Sequence, residues 1–326
     1  PQSRLMLVRW LAASWRFDEA EAALGTITSE EVALEGANAV AQSYESAGRL
    51  GEAIAAYRQL VADCEQVLGD YHPGTLNSRN NLAYAYMSVR RLADAIALYE
   101  QTVADSVRVL GPDHPDTLVS RNNLAFVYES VGRFDEASTL LRQTLDDCVR
   151  TFGEEHAETL ASRSSLARAF RAAGRLDEAI PLYEEVLAER MRILGPDHPD
   201  TLASRGNLAY AYRSAGRLAD AITLYEEVLA DRMRILGPDH PDTLTSRYNL
   251  AHAYWEAGRL ADAITLFEEV FADQLRVLGP NHPYTVASRG YLARTYREAG
   301  RVDDAAAVLD PPTDPDGVDA DRIESR

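Results

Sequence analysis

Six histidines, His72, His114, His156, His198, His240 and His282, stand 42 residues apart, and imidazole is a frequent metal ligand and proton carrier. The spacing argues against both roles. Zinc needs three or four ligands near 2 Å, whereas side chains that recur once per long unit sit about 10 Å apart, one helix-packing distance. Cys64 and Cys148 share one phase of this period with a whole unit between them, beyond disulfide reach in one chain. A reducing compartment is therefore expected. Acidic pairs such as Glu184-Glu185 and Glu226-Glu227 fall where a long helix would turn a solvated face outward. The sequence carries no Gly-rich phosphate loop, no HExxH and no GxSxG. No catalytic residue, metal or cofactor is expected, and the chain does not read as an enzyme.

The elements behind this spacing follow from one period. In residues 198–236, Leu202, Leu208, Ala209 and Tyr212 recur at helical spacing. Pro199 and Asp200 suit a helix start, and Gly216 supplies the left-handed conformation that stops it. Leu218, Ala221, Ile222, Tyr225, Leu229, Met233 and Leu236 then make a second, longer amphipathic helix, ended at Gly237-Pro238. Each unit is a helix hairpin. A hairpin this small cannot bury its own apolar face, so copies stack into a solenoid. The expected fold class is all-α, a right-handed α-solenoid of antiparallel helix hairpins.

These residues resemble the tetratricopeptide repeat. Its signature L-G-x-x-Y…A-x-x-x-F reads here as Leu82-Ala83-x-x-Tyr86 with Ala95 and Tyr99, and Leu208-Ala209-x-x-Tyr212 with Ala221 and Tyr225. The 42-residue period with Leu-Gly-Pro-Asp-His-Pro-Asp-Thr-Leu is similar to the kinesin-light-chain type. The resemblance spans residues about 34–309. Residues 1–31 read as a truncated hairpin acting as a cap, residues 32–309 as six full repeats plus a shorter hairpin, and residues 310–326 as a disordered acidic tail. Arg90 stands where other repeats have the turn glycine, and Glu154 and Ala157 replace both turn prolines of their repeat. Pro181 is expected near the fourth residue of its helix, where its missing N–H costs nothing.

Composition narrows the partners. The net charge is −18 and all 33 cationic residues are Arg, a usage typical of a GC-rich bacterial genome. A chain this acidic is a poor ligand for nucleic acid. No apolar stretch approaches a membrane span and no signal peptide is visible, so a cytoplasmic protein that does not engage membrane is expected.

The resemblance implies that the first helices line a concave groove. At 100° per residue, Arg79, Leu82, Ala83 and Tyr86 face the packing side, while Asn77, Asn81, Tyr84 and Ser88 face the groove. The rows along it supply the candidate peptide-binding residues. Asn81, Asn123, Asn207 and Asn249 form an amide ladder for an extended backbone, or else tie neighbouring helices together. Three residues on stand Tyr84, Phe126, Arg168, Tyr210, His252 and Arg294, flanked by Arg171, Arg213, Trp255 and Arg297. These types dominate binding hot spots, and Arg168 with Arg171 could grip a carboxylate. The first-helix segments carry +2, −1, +2, +1, −1 and +2, a sum of +5 against the chain's −18. The expected function is a protein-interaction scaffold whose groove takes an acidic or aromatic-acidic peptide or a partner domain. Two alternatives stand: a sensor or autoinhibitory arm of a larger bacterial signalling ATPase, and a solenoid that forms homo-oligomers through its terminal hairpins.

Overall fold

The computed structural model describes residues 2–309, the side chain of Leu278 excepted. The acidic tail expected at 310–326 lies outside the described residues. The described residues form helices only: α1 (Gln2–Ala13), α2 (Phe17–Leu24), α3 (Glu30–Ser46), α4 (Leu50–Val67), α5 (Pro73–Ser88), α6 (Leu92–Val109), α7 (Pro115–Ser130), α8 (Phe134–Phe152), α9 (Ala157–Ala172), α10 (Leu176–Leu194), α11 (Pro199–Ser214), α12 (Leu218–Leu236), α13 (Pro241–Glu256), α14 (Leu260–Leu278), α15 (Pro283–Glu298) and α16 (Val302–Leu309). Odd helices open a hairpin and even helices close it. The fold class is the all-α solenoid of helix hairpins that the periodicity requires. The described residues divide into two compact units, with the boundary between residues 179 and 180.

Local chemistry sets the helix ends. The periodic histidines are N-caps: Nδ1 of His72, His114, His156, His198, His240 and His282 accepts the backbone N–H two residues on, at 3.1–3.3 Å. One of the four orphan donors of each first helix is thereby satisfied. The cap survives at α9, which begins without the proline that follows the other capping histidines. Glycine ends most first helices at φ between 72° and 79°, as at Gly216 and Gly132. Arg90 takes the same left-handed conformation at φ 63°. The sequence expectation for Pro181 fails: α10 begins at Leu176, so the proline is the helix's sixth residue and removes a rung of the ladder.

Packing repeats with equal regularity. In residues 1–179, Ala83, Tyr99, Ala125, Val127 and Leu141 are fully or almost fully buried, and in residues 180–309 so are Ala209, Tyr225, Val228, Ala251 and Phe267. The Ser-Arg arginines join this core. Arg121 reaches Asp147 at 2.6 Å, Arg205 reaches Asp231 at 2.8 Å and Arg247 reaches Asp273 at 2.5 Å, always 26 residues on. The turn arginines also have a fixed place: Arg133 stacks 4.1 Å from the Tyr128 ring centre, Arg217 3.9 Å from Tyr212 and Arg259 4.1 Å from Tyr254. The same tyrosines donate across 28 residues, Tyr128 to Glu100 at 2.7 Å and Tyr212 to Glu184 at 2.7 Å. Both thiols are buried and free, Cys64 Sγ lying 3.4 Å from Ser78 Oγ and Cys148 Sγ 3.2 Å from Ser162 Oγ. Burial pushes both thiols up.

Candidate functional site

The candidate residues divide between the two units, and each set is built differently. In residues 1–179 they lie on α5, α7 and α9. Asn81 is half-buried and one of its amide hydrogens is committed: Nδ2 donates to Asn38 Oδ1 at 3.1 Å, tying α5 to α3. Asn80, one position earlier, does the same from α5 to α7 through Ser120 Oγ at 2.6 Å. The helix-tying alternative therefore describes Asn81. Asn123 is half-buried and Tyr84 and Phe126 are exposed, at 48% and 45%. The Arg168 guanidinium lies 5.1 Å from the Phe126 ring centre and pairs with the buried carboxylate of Glu129. Glu129 also feels Arg171, yet burial outweighs both arginines and pushes its carboxyl above the usual range. Arg168 holds a carboxylate from inside the chain, 39 residues away.

In residues 180–309 the candidates lie on α11, α13 and α15, and most are drawn into one cluster. Arg213 stands 4.5 Å from the Tyr210 ring centre, and its Nε is 3.7 Å from Glu256 Oε2. His252 Nδ1 is 3.2 Å from the other oxygen of Glu256 without a hydrogen bond between them. Burial and Arg213 push His252 below the usual histidine range, Glu256 offsetting part of the shift. Around it stand Trp255 at 5.2 Å and Tyr291 at 4.9 Å, with Tyr248 beyond at 6.3 Å. Arg294 stacks on Trp255 at 4.4 Å, while Glu298 accepts from Trp255 Nε1 at 2.6 Å and from Arg294 Nε at 3.1 Å. Arg297 and Asn207 are exposed, and Asn249 is half-buried.

Sequence reasoning passed over Glu129's role, Glu256, Glu298 and Tyr248. A signal was present. The position of Glu256 and Glu298 is Ser88, Ser130, Ala172 and Ser214 in earlier repeats, and that of Tyr248 is Asn80, Asn122, Ser164 and Gly206. Such breaks in a repeat mark where a surface has been specialised. Among the described residues, no three His, Cys, Asp or Glu side chains gather to hold a metal ion. None of the described helices is long and apolar enough to cross a membrane.

The tetratricopeptide repeat model matches residues 32–105, 79–148, 122–189, 158–233, 207–274 and 249–310. No curated protein matches the chain. A crystal structure of a kinesin-light-chain-like protein of nearly identical repeats from Podosopora anserina is 38% identical, covers 63% of this chain and 97% of that one, and superposes with a TM-score of 0.54. A Rap protein complexed with competence and sporulation factor is 12% identical, covers 94% and 95%, and has a TM-score of 0.57. A signal-transduction ATPase with a tetratricopeptide repeat sensor from Pyrococcus horikoshii is 15% identical over 93% of this chain and 45% of that one, TM-score 0.57. The chain belongs to the tetratricopeptide repeat family, with repeats of the kinesin-light-chain type.

Proposed function

We propose that this chain is a non-enzymatic protein-interaction scaffold that captures an extended peptide along its first-helix faces. One observation carries the reading: each unit presents aromatic side chains stacked with arginines whose carboxylate partners come from the chain itself. Phe126 with Arg168 and Glu129 is one such group, and Trp255 with Arg294 and Glu298 is the other. An acidic guest can exchange for Glu298 or Glu129, and the aromatic rings then give it apolar surface. The guest is an acidic or aromatic-acidic segment. A Rap protein of the same fold forms a complex with competence and sporulation factor, which supports a guest held by an array of this kind.

Two twelve-residue peptides of equal aromatic content, one with Glu and one with Gln at the flanking positions, test this by calorimetry on the full chain. The Glu peptide should bind at least tenfold tighter. The triple change Arg168→Glu, Arg171→Glu and Arg213→Glu should remove that preference. Equal binding of both peptides, or a preference that survives the triple change, would sink the acidic-guest reading.

A second reading rests on α1 and its turn, where Met6, Trp10 and Trp15 are 71%, 57% and 64% exposed. Exposed apolar surface of this kind suits self-association. Light scattering across concentration decides it, because a monomer at high concentration removes this reading.

A further inference from the structure

Three second helices of residues 180–309 place one residue at a common phase: Arg190 on α10, Arg232 on α12 and Gln274 on α14. Arg190 Nη1 donates to Ser204 Oγ at 2.8 Å and to the Asp200 carbonyl at 3.2 Å. Arg232 repeats the pattern with Ser246 Oγ at 2.7 Å and the Asp242 carbonyl at 3.1 Å. Each guanidinium seals the junction between a second helix and the first helix that follows. Gln274 is shorter and 95% buried, and the seal is absent. Its Oε1 has no partner, and neither has the Oγ of the fully buried Ser288 that occupies the place of Ser204 and Ser246. A cavity of about 480 Å³ opens there between α13, α14 and α15.

Its walls are apolar at Leu244, Val277, Tyr248 and Tyr284, and no Asp, Glu or Arg lines it. The lining also includes His282, whose Nδ1 accepts the Tyr284 N–H at 3.3 Å, and burial pushes the Tyr248 phenol up to about 12. Residues 1–179 hold a cavity of about 440 Å³ at the same phase, and the comparison is instructive. There Glu31 and Glu35 enter the wall, and the equivalent polar pair, Cys64 and Ser78, is mutually satisfied at 3.4 Å. Of these two cavities, the one beside α14 combines apolar walls with two unpartnered buried polar groups. A polar ligand group reaching both would satisfy them together.

We propose that this cavity binds a phenol, an uncharged aromatic ring carrying one hydroxyl. An amide and an alcohol are served together by a group that both donates and accepts, and a hydroxyl does so without charge. The volume lies within the range of small-ligand pockets. The phenol comes from a tyrosine side chain of the captured peptide, since Asn249 of the amide ladder lines the same cavity, or from a small free molecule. Only the peptide source rests on the function proposed above; the pocket stands on its own geometry.

Ligand-observed NMR titrations of the full chain with p-cresol, N-acetyl-tyrosinamide and N-acetyl-phenylalaninamide test the assignment. The tyrosine compound should bind at least tenfold tighter than the phenylalanine compound, which leaves both polar groups unpaired. Binding of p-cresol but not of the tyrosinamide would assign a free small phenol and exclude the side chain as source. Gln274→Arg restores the seal that Arg190 and Arg232 make, so it should fold and abolish binding, and Gln274→Leu should lower affinity about tenfold. The triple arginine change used above should leave phenol binding intact, which separates failure of the groove from failure of the pocket. No binding by either phenol, equal binding of the tyrosine and phenylalanine compounds, or binding unaffected by Gln274→Arg would overturn the proposal.

Discussion

The histidines show how a residue type can mislead until its atoms are placed. Six imidazoles at one phase invited metal chemistry, and each instead spends its Nδ1 lone pair on a helix N-terminus. Replacing His198 or His240 with Ala should cost about 1 kcal/mol each, the usual value of a cap, and replacement with Asp should largely retain it; shifts in the urea midpoint measure both. Acid titration separates two kinds of carboxylate. Asp147 and Asp231 are partly buried, which alone would raise them, but hydrogen bonds from Arg121 and Arg150, and from Arg234 and Arg205, hold them below the usual range. Their stabilisation is complete above the ordinary carboxylate range, about pH 4, and is lost as pH falls through the depressed values. Glu129 behaves oppositely: burial raises its carboxyl, so the fold favours its protonated form and loses that preference as pH rises. Glu129→Gln should therefore gain in thermal midpoint relative to wild type between pH 5 and pH 7. A gap that narrows over that interval would refute the assignment.

At the scale of elements, the turn that ends α5 is a place where the repeat works against itself. Arg90 holds φ 63° with a Cβ that disfavours it, so Arg90→Gly should stabilise by about 0.5–1 kcal/mol, read from the denaturation midpoint. The neighbouring Arg91 keeps its stacking on Tyr86 at 4.4 Å in either variant. Helix boundaries were legible because their determinants are local: the His-Pro start, the glycine stop and the periodic Leu and Ala positions all lie within one unit. The faces were legible for the same reason, since 100° per residue gives direction without a partner. Pairings were not. Arg168 meets Glu129 from 39 residues away, Trp255 meets Glu298 from 43, and Asn81 meets Asn38 from 43. A helical wheel says that a side chain points at the groove, but the offset between adjacent first helices decides which neighbour reaches it. That offset is set by the packed second helices, and no single unit encodes it.

For the molecule as a whole, the free energy of a repeat array is close to a sum of unit and nearest-neighbour terms. Deleting residues 199–240 joins His198 to Pro241 and recreates the His-Pro start with its cap donor at the following Asp. The shortened chain should fold with unchanged helicity per residue and a lower urea midpoint, measured by circular dichroism; aggregation or loss of cooperative unfolding would show that the units are not interchangeable. The same junction has a genetic consequence. A coding segment of 126 bases that begins and ends inside near-identical text is an easy target for unequal crossing over, so copy number can change in one step without breaking the reading frame or a cap. Loss of that copy would remove Asn207, Tyr210 and Arg213 while keeping Trp255 and the cavity beside α14. Binding specificity in such a lineage can be edited by the repeat, faster than point substitution would allow.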